Sequence, residues 1–176
     1  SDSKNKLQLN KALNLIKSKN KKVKFAKQIH SNIIAEINNK NFDLKIEADG
    51  LITNDVAIGL GILTADCAPI FIFDKKKSFI CCLHAGWKGT LLNIAKKSIH
   101  LITKKYNKNI DDIIVIIGPC LDKKNFEVDS NFKNDFTKLN DNYKNFFQKK
   151  NSRKDIFDMR GVINYQFKNL HIKNIF

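Results

Sequence analysis

Two side chains that can act as metal ligands or as a nucleophile and its base lie close together near the middle of the chain. Cys67 lies in residues 64–70 (TADCAPI), and His84 opens residues 84–89 (HAGWKG). Each lies at one end of a short apolar run, and the polar residues 74–77 separate the two runs. Because short apolar runs joined by a polar turn are typical of paired strands, we expect the thiol and the imidazole to meet.

A third candidate is His30, which follows another apolar stretch in residues 28–31 (QIHS). Two imidazoles and a thiolate from separate strand ends, with a fourth position left for water or substrate, are what a catalytic zinc site requires. A closed structural zinc site usually contains a C-x-x-C pair, which this sequence lacks.

Cys67 and His84 also fit a cysteine hydrolase or deamidase, with the thiol as nucleophile and the imidazole as base. Cys67 as a buried structural thiol and His84 as a surface residue are the non-functional alternatives. The residue types alone leave these interpretations open.

Carboxylates lie close to the candidate ligands along the chain. Asp49 and Asp66 can each orient a histidine or act as a general base, although an aspartate in a turn or a helix cap has the same local sequence. Glu127 is a weaker candidate. We place Asp66 with Cys67 and His84 in the predicted catalytic set.

The segment after His84 has features of an anion-binding turn. Gly86 and Gly89 permit close approach of a ligand to the backbone, and the amides at the start of the next helix, together with Lys88, favour negative charge. We therefore predict that Gly86, Trp87, Lys88 and Gly89 bind substrate. A G-x-x-G pattern by itself is a weak phosphate signal.

Hydrophobic spacing indicates which elements position these residues. A buried strand is predicted at residues 112–117, ending at a Gly-Pro breaker, and residues 121–150 read as polar with helical aromatics. A linker is expected at residues 151–155. The remaining expected elements are helices at residues 7–16, from 90 to about 102 and at 161–170, and strands at 23–29, 33–37, 51–53, 56–62, 69–73, 79–83 and from 172, several of them linked as hairpins. The chain is therefore expected to be an α+β protein.

Length and charge limit the functional classes. The 176 residues fit one domain, residues 1–176, and no apolar stretch is long enough to span a bilayer. The net charge of +15 comes from lysines spread along the chain with only two arginines. This pattern argues against specific nucleic-acid recognition, although a basic binding protein with a vestigial site is a further alternative. Four scattered cysteines and no export signal favour reduced thiols and a cytoplasmic location.

Seven segments together resemble one bacterial family. They are residues 28–30 (QIH), 48–53 (ADGLIT), 64–70, 84–89, 117–120 (IGPC), 126–128 (FEV) and 157–160 (FDMR). The family is the multicopper polyphenol oxidase/laccase-like family, which is also described as a family of purine nucleoside phosphorylases and is called YfiH-like. The order A-D-C-x-P followed by H-A-G-W is specific to it.

This resemblance implies an α/β/β/α sandwich with a mixed β body, of the cytotoxic necrotizing factor/YfiH-like kind. It implies a zinc site with ligands His30, Cys67 and His84, and phosphorolysis of adenosine, inosine, guanosine and methylthioadenosine, with adenosine deamination as a second activity. The expected partners are thus a purine nucleoside and phosphate. Copper is the less favoured metal, because a multicopper oxidase needs imidazoles for several ions and the chain has four histidines in all.

The chain departs from the family pattern at two positions and, by expectation, at its ends. Lys88 stands where the family usually has Arg, and Ser31 stands where it has Gly. We expect the family's N-terminal segment and its C-terminal Cys-Thr and Tyr-Arg-Arg segment to be absent. If those segments close the pocket or bind phosphate, the chain holds metal but is a poor enzyme.

Overall fold

A six-stranded mixed sheet forms the centre of the protein. The computed structural model describes Lys11 and residues 22–176. The strand order of this sheet is β11, β7, β5, β6, β3, β2. The strands among the described residues are β1 Lys22–Phe25, β2 Ile34–Glu36, β3 Gly50–Thr53, β4 Ile58–Gly61, β5 Ala68–Asp74, β6 Ile80–Ala85, β7 Ile113–Ile117, β8 Glu127–Asp129, β9 Phe147–Lys149, β10 Lys154–Phe157 and β11 Asn174–Ile175.

The antiparallel hairpin of β5 and β6 carries two of the candidate site residues. Its register sets Pro69 opposite His84 and Ala68 opposite Ala85. Cys67 immediately precedes β5, so the hairpin brings the thiol and the imidazole to the same end of the sheet. The predicted strands at residues 69–73 and 79–83 are confirmed in this hairpin, which extends slightly beyond them.

Helices cover one face of this sheet. They are α1 Trp87–Leu91, α2 Ile94–Lys105, α3 Phe132–Thr137 and α4 Met159–Asn169, with short 3-10 helices at Ile110–Asp112, Lys123–Asn125 and Asp141–Phe146. The single helix expected from residue 90 is wrong, because the chain breaks between α1 and α2. Asn93 adopts a left-handed conformation there and its side chain accepts a hydrogen bond from the amide of Lys96, which starts a new helix.

Residues 121–150, expected to carry helical aromatics, contain α3 and the 3-10 helix Asp141–Phe146, but with the expected linker they also form a small sheet. Strands β8 and β9 both pair with β10, in the order β8, β10, β9. The linker predicted at residues 151–155 overlaps β10, which starts at Lys154. The physical reason is tertiary: Phe157 is fully buried among the rings of Phe132, Phe136 and Phe147, and this aromatic cluster compensates for a weak local strand pattern.

A parallel pair, β1 with β4, lies against the other face of the sheet. It encloses a second core cluster that includes Ile58, Leu51 and Cys82. Strand β4 lies within the strand predicted at residues 56–62, and it pairs with the distant β1 rather than forming one of the expected hairpins. Strand β7 is also less buried than expected, since Ile116 is 38% exposed.

These layers agree with the predicted α+β class, which is confirmed by the solved structures compared below. The helix predicted at residues 7–16 lies outside the described residues, apart from Lys11. Within the described part of the chain, no helix is both long and apolar enough to cross a membrane.

The turn of the β5–β6 hairpin is closed by Asp74, whose side chain is almost fully buried. Its carboxylate accepts hydrogen bonds from the Ser78 amide and hydroxyl, each at 2.6 Å. Burial by itself raises the pKa of Asp74, but the bonds from Ser78 and the nearby ammonium of Lys108 outweigh it, and the pKa is lowered.

We expect Asp74→Ala to lower the free energy of unfolding at neutral pH by about 1–3 kcal/mol, because Ser78 loses its partner. Since the pKa of Asp74 is lower in the folded state than in the unfolded state, its contribution is present above about pH 4 and is lost as the pH falls further. Urea unfolding of both proteins at several pH values measures the difference. Asp111→Ala, at an exposed ion pair with Lys173, is the matched control and should change little; an equal loss in both variants would contradict the prediction.

Candidate metal centre

His30, Cys67 and His84 converge at one end of the central sheet. Their potential ligand atoms all lie within 4.8 Å of one another. The Cys67 Sγ atom is 3.9 Å from His30 Nε2, and the two imidazole rings meet edge to face with centroids 4.8 Å apart. The structure therefore brings together the three residues that the sequence placed on separate segments.

His84 is the most rigidly placed of the three. It lies in β6, is 4% exposed, and its Nδ1 atom lies 2.8 Å from Asp49 Oδ1. A carboxylate only accepts hydrogen bonds when ionised, so Nδ1 carries the proton and Nε2 is left with its lone pair free. This carboxylate–histidine arrangement is the usual support of a metal-binding imidazole.

Asp49 also fixes the loop that carries His30. Its carboxylate oxygens accept hydrogen bonds from the amides of Ile29, His30 and Ser31 at 3.3, 3.0 and 2.6 Å, and from the Ser31 hydroxyl at 2.7 Å. Burial raises the pKa of Asp49, but the hydrogen bonds from Ser31 and His84 outweigh burial and lower it. Of the two roles proposed for this aspartate, the structure supports the orienting one.

His30 does not lie at the end of a strand. Strand β1 ends at Phe25, so the strand predicted at residues 23–29 is four residues too long. His30 instead adopts a left-handed backbone with φ of 58°, a conformation that a non-glycine residue rarely takes without support. The amides of Ile29, His30 and Ser31 all donate hydrogen bonds to Asp49, and these bonds hold the backbone in that conformation.

Cys67 lies in the bend before β5 and is half-buried. Burial raises the pKa of its thiol, and the neighbouring groups Asp66, Asp49 and Cys120 raise it further. A cysteine nucleophile is activated by a lowered pKa or by a neighbouring base, and the surroundings of Cys67 do not provide the first of these. A bound cation would supply the positive charge that the thiolate lacks.

Asp66 is exposed beside Cys67. Its backbone carbonyl accepts a hydrogen bond from the Leu121 amide, and its carboxylate faces solvent. Glu127 lies elsewhere, on β8, where it pairs with Lys150. The structure therefore leaves Asp66 at the site and assigns Glu127 to the small sheet.

The predicted anion-binding turn is the first part of α1. Gly86 packs directly on the ligands: a Cβ atom there would lie 2.8 Å from Cys67 Sγ and 3.1 Å from His30 Cδ2. Gly89 lies against the backbone carbonyl of Ser31. The first helical bond runs from the Thr90 amide to the Gly86 carbonyl, so the amides of the three residues between them have no partner within the helix.

The other two residues of this segment point elsewhere. Trp87 packs against Phe132 with ring centroids 5.1 Å apart, in the aromatic part of the core. Lys88 is exposed and its ammonium lies 5.5 Å from the centroid of the Trp87 ring. The segment thus contributes backbone, rather than the indole ring, to the surroundings of the ligands.

The three donors fit a zinc ion. Zinc bonds of about 2.0–2.3 Å in a tetrahedron place ligand atoms about 3.3–3.8 Å apart. The separations here are slightly larger, at 3.9 Å for one pair and at most 4.8 Å for all. A small inward shift of the side chains would bring the three ligand atoms to bonding distance of one ion. Gly86, which packs against them, has no side chain that would block this shift.

Known proteins are similar to this chain over most of its length. The model of the family described as multi-copper polyphenol oxidoreductase laccase matches residues 1–176. The chain belongs to this family. It is 34% identical over 156 residues to a purine nucleoside phosphorylase of Campylobacter jejuni, covering 86% of this chain and 62% of that protein. It is 32% identical over 151 residues to a purine nucleoside phosphorylase of Rickettsia conorii, covering 84% of this chain and 60% of that protein.

Solved structures of family members share the fold. The hypothetical protein YfiH of Bacillus licheniformis superposes with a TM-score of 0.83 at 25% identity, covering 94% of this chain and 66% of that one. YlmD of Geobacillus stearothermophilus gives the same TM-score at 18% identity. The chain spans less than two thirds of the length of the relatives it matches.

Sequence reasoning missed two features of the site. One is the extent of the Asp49 network, which joins residues far apart in the chain. The other is Cys120, which lies next to Cys67 because β7 pairs with β5. The Asp-Gly pair at Asp49 and the Gly-Pro pair before Cys120 were visible in the sequence, but their partners depend on strand pairing.

We expect Asp49→Asn to weaken zinc binding by about 10- to 100-fold, because it removes the charge that holds the His84 proton and turns one acceptor into a donor facing Ser31. Competition with a chromophoric chelator measures the affinity. Ser31→Ala removes only one of the bonds and should give a smaller loss in a well-folded protein. Asp111→Asn is the surface control, and equal affinities for all three variants and the wild type would rule out the orienting role.

Gly86→Ala should also weaken zinc binding, since the added methyl group would displace Cys67 or His30. Isothermal titration with zinc tests this expectation. Gly59→Ala is the control, because a Cβ atom there would lie 3.2 Å from a Val23 methyl in the β1–β4 pair, away from the ligands. A Gly86→Ala protein with unchanged affinity would show that the close contact is unimportant.

Proposed function

We propose that the protein is a zinc-dependent purine nucleoside phosphorylase that acts on adenosine, inosine, guanosine and methylthioadenosine, with adenosine deamination as a second activity. The observation that supports this most directly is the convergence of His30, Cys67 and His84 within 4.8 Å. The second support is that relatives covering most of the chain are named purine nucleoside phosphorylases.

The protein's own residues position the reactants. Asp49 holds His84 in the tautomer that leaves Nε2 available. The amides of residues 87–89, which have no partner within α1, are donors suited to a phosphate oxygen, and Lys88 adds positive charge on the exposed side of the same segment. When bound, zinc supplies Lewis acidity and can lower the pKa of a water molecule.

Asp66 is the proposed general base and acid. In phosphorolysis, a phosphate oxygen bonds to the anomeric carbon while the glycosidic bond to the purine nitrogen breaks, and the departing purine needs a proton. In deamination, a water molecule must give up a proton as it attacks the purine ring. The exposed carboxylate of Asp66 beside Cys67 is placed to exchange these protons with solvent.

Zinc content and phosphorolysis test the proposal together. We expect one zinc ion per chain by mass spectrometry of metals, and phosphate-dependent release of adenine from adenosine. Cys67→Ala should lose both the metal and the activity, whereas His100→Ala, which alters an exposed histidine on α2, should keep both. Unchanged zinc content in Cys67→Ala would remove the proposed site.

Asp66→Asn separates metal binding from catalysis. It should retain zinc and lose turnover by about 100-fold or more, because a general acid or base contributes that much. Loss of zinc together with activity would assign Asp66 a structural role. Rapid iodoacetamide labelling of Cys67 in zinc-loaded protein would favour the hydrolase alternative, and strongly salt-dependent DNA or RNA binding without turnover would favour the basic binding protein.

A further inference from the structure

Cys120 lies opposite Cys67 at the edge of the metal centre. Strands β5 and β7 are antiparallel, and their register sets Ile70 opposite Ile117. Two backbone hydrogen bonds continue this pairing beyond the strands, from the Gly118 amide to the Pro69 carbonyl at 2.8 Å and from the Leu121 amide to the Asp66 carbonyl at 2.9 Å. Cys67 and Cys120 lie between these two bonds, one on each segment.

The backbone bonds on both sides hold the segments of the two cysteines next to each other. Bridged cysteines usually have Cα atoms about 4.4–6.8 Å apart, a separation that two hydrogen-bonded backbone segments can meet. Cys67 and Cys120 are both free and half-buried, while Cys81 and Cys82 are buried. Among the described residues, Cys120 is not part of the His30, Cys67 and His84 group, so its thiol remains available when that group holds a metal.

The backbone around Cys120 is held firmly in place. The guanidinium of Arg160 donates hydrogen bonds to the carbonyls of Ile117 and Gly118, each at 2.8 Å. Gly118 packs closely on Pro69, since a Cβ atom there would lie 2.8 Å from the proline ring. These contacts fix the backbone that leads into Cys120 beside the segment of Cys67.

We propose that Cys67 and Cys120 form a redox modification site, in which a peroxide converts the two thiols to a disulfide and releases the metal. This inference rests on the metal-binding part of the proposed function and is independent of the nucleoside chemistry. A disulfide sulfur of Cys67 is no longer an anionic ligand, so the metal would retain only the two imidazoles.

The reaction balances with hydrogen peroxide as the oxidant. The sulfur of Cys120 attacks the peroxide, the O–O bond breaks, and a sulfenic acid and one water form. The sulfur of Cys67 then attacks the sulfenic sulfur, the S–S bond forms and the S–O bond breaks. The oxygen leaves as hydroxide when Cys67 is a thiolate ligand, and as water when the Cys67 thiol still carries its proton. The two thiols lose two electrons in total and the peroxide gains them.

Zinc-loaded protein treated with an equimolar amount of hydrogen peroxide tests the proposal. After alkylation of free thiols, peptide mass spectrometry should identify a cross-link between the peptides that contain Cys67 and Cys120. A chromophoric chelator should detect one zinc ion released for each disulfide, and dithiothreitol with added zinc should restore the starting state. The cross-link is also measured in metal-free protein, so its result stands even if the protein binds no zinc or lacks phosphorylase activity.

Cys120→Ser is the decisive variant. It should bind zinc with the affinity of the wild type before oxidation, and its peroxide-driven zinc release should be about tenfold slower because the thiol that reacts first with peroxide is absent. Cys82→Ala, which removes a buried thiol, should keep the cross-link and the wild-type release rate. Absence of the cross-link, or zinc release from Cys120→Ser as fast as from the wild type, would overturn the proposal.

Discussion

The buried carboxylate of Asp49 is the interaction on which the candidate site depends. It accepts hydrogen bonds from three successive backbone amides, one hydroxyl and one imidazole, which belong to the loop of residues 29–31 and to β6. An unpaired carboxylate at full burial would be strongly unfavourable. The hydrogen bonds from these partners offset that cost. The network also connects the backbone of His30 to the side chain of His84.

Strand register supplies the remaining member of the site. The pairing of Pro69 with His84 places Cys67 at the end of the hairpin, and the pairing of β5 with β7 brings residues 118–121 alongside. A slip of one residue would turn each of these side chains to the opposite face of the sheet. The buried alternation along β5 prevents such a slip, because it would expose Ile70 and Ile72.

The short helix α1 and its neighbouring glycines complete the site, because a glycine has no side chain to separate the backbone from the ligands. Gly86 allows the backbone to touch the Cys67 sulfur and the His30 ring, and Gly89 allows the same helix to approach Ser31. The side chain of Trp87 is used for packing against Phe132. The segment therefore brings backbone amides close to the ligands while its large side chain stabilises the core.

The sequence by itself determined the α+β class, the β5–β6 hairpin and the types of ligand offered by His30, Cys67 and His84, because alternating apolar residues and short motifs are local properties. Tertiary structure decided that β4 pairs with β1, that residues 154–157 form a strand, that β1 stops before His30, and that Asp49 rather than Asp66 supports His84. It also placed Cys120 beside Cys67. These outcomes rest on contacts between residues that are distant along the chain, such as a carboxylate bonded to amides about twenty positions earlier, and no local pattern encodes such partners.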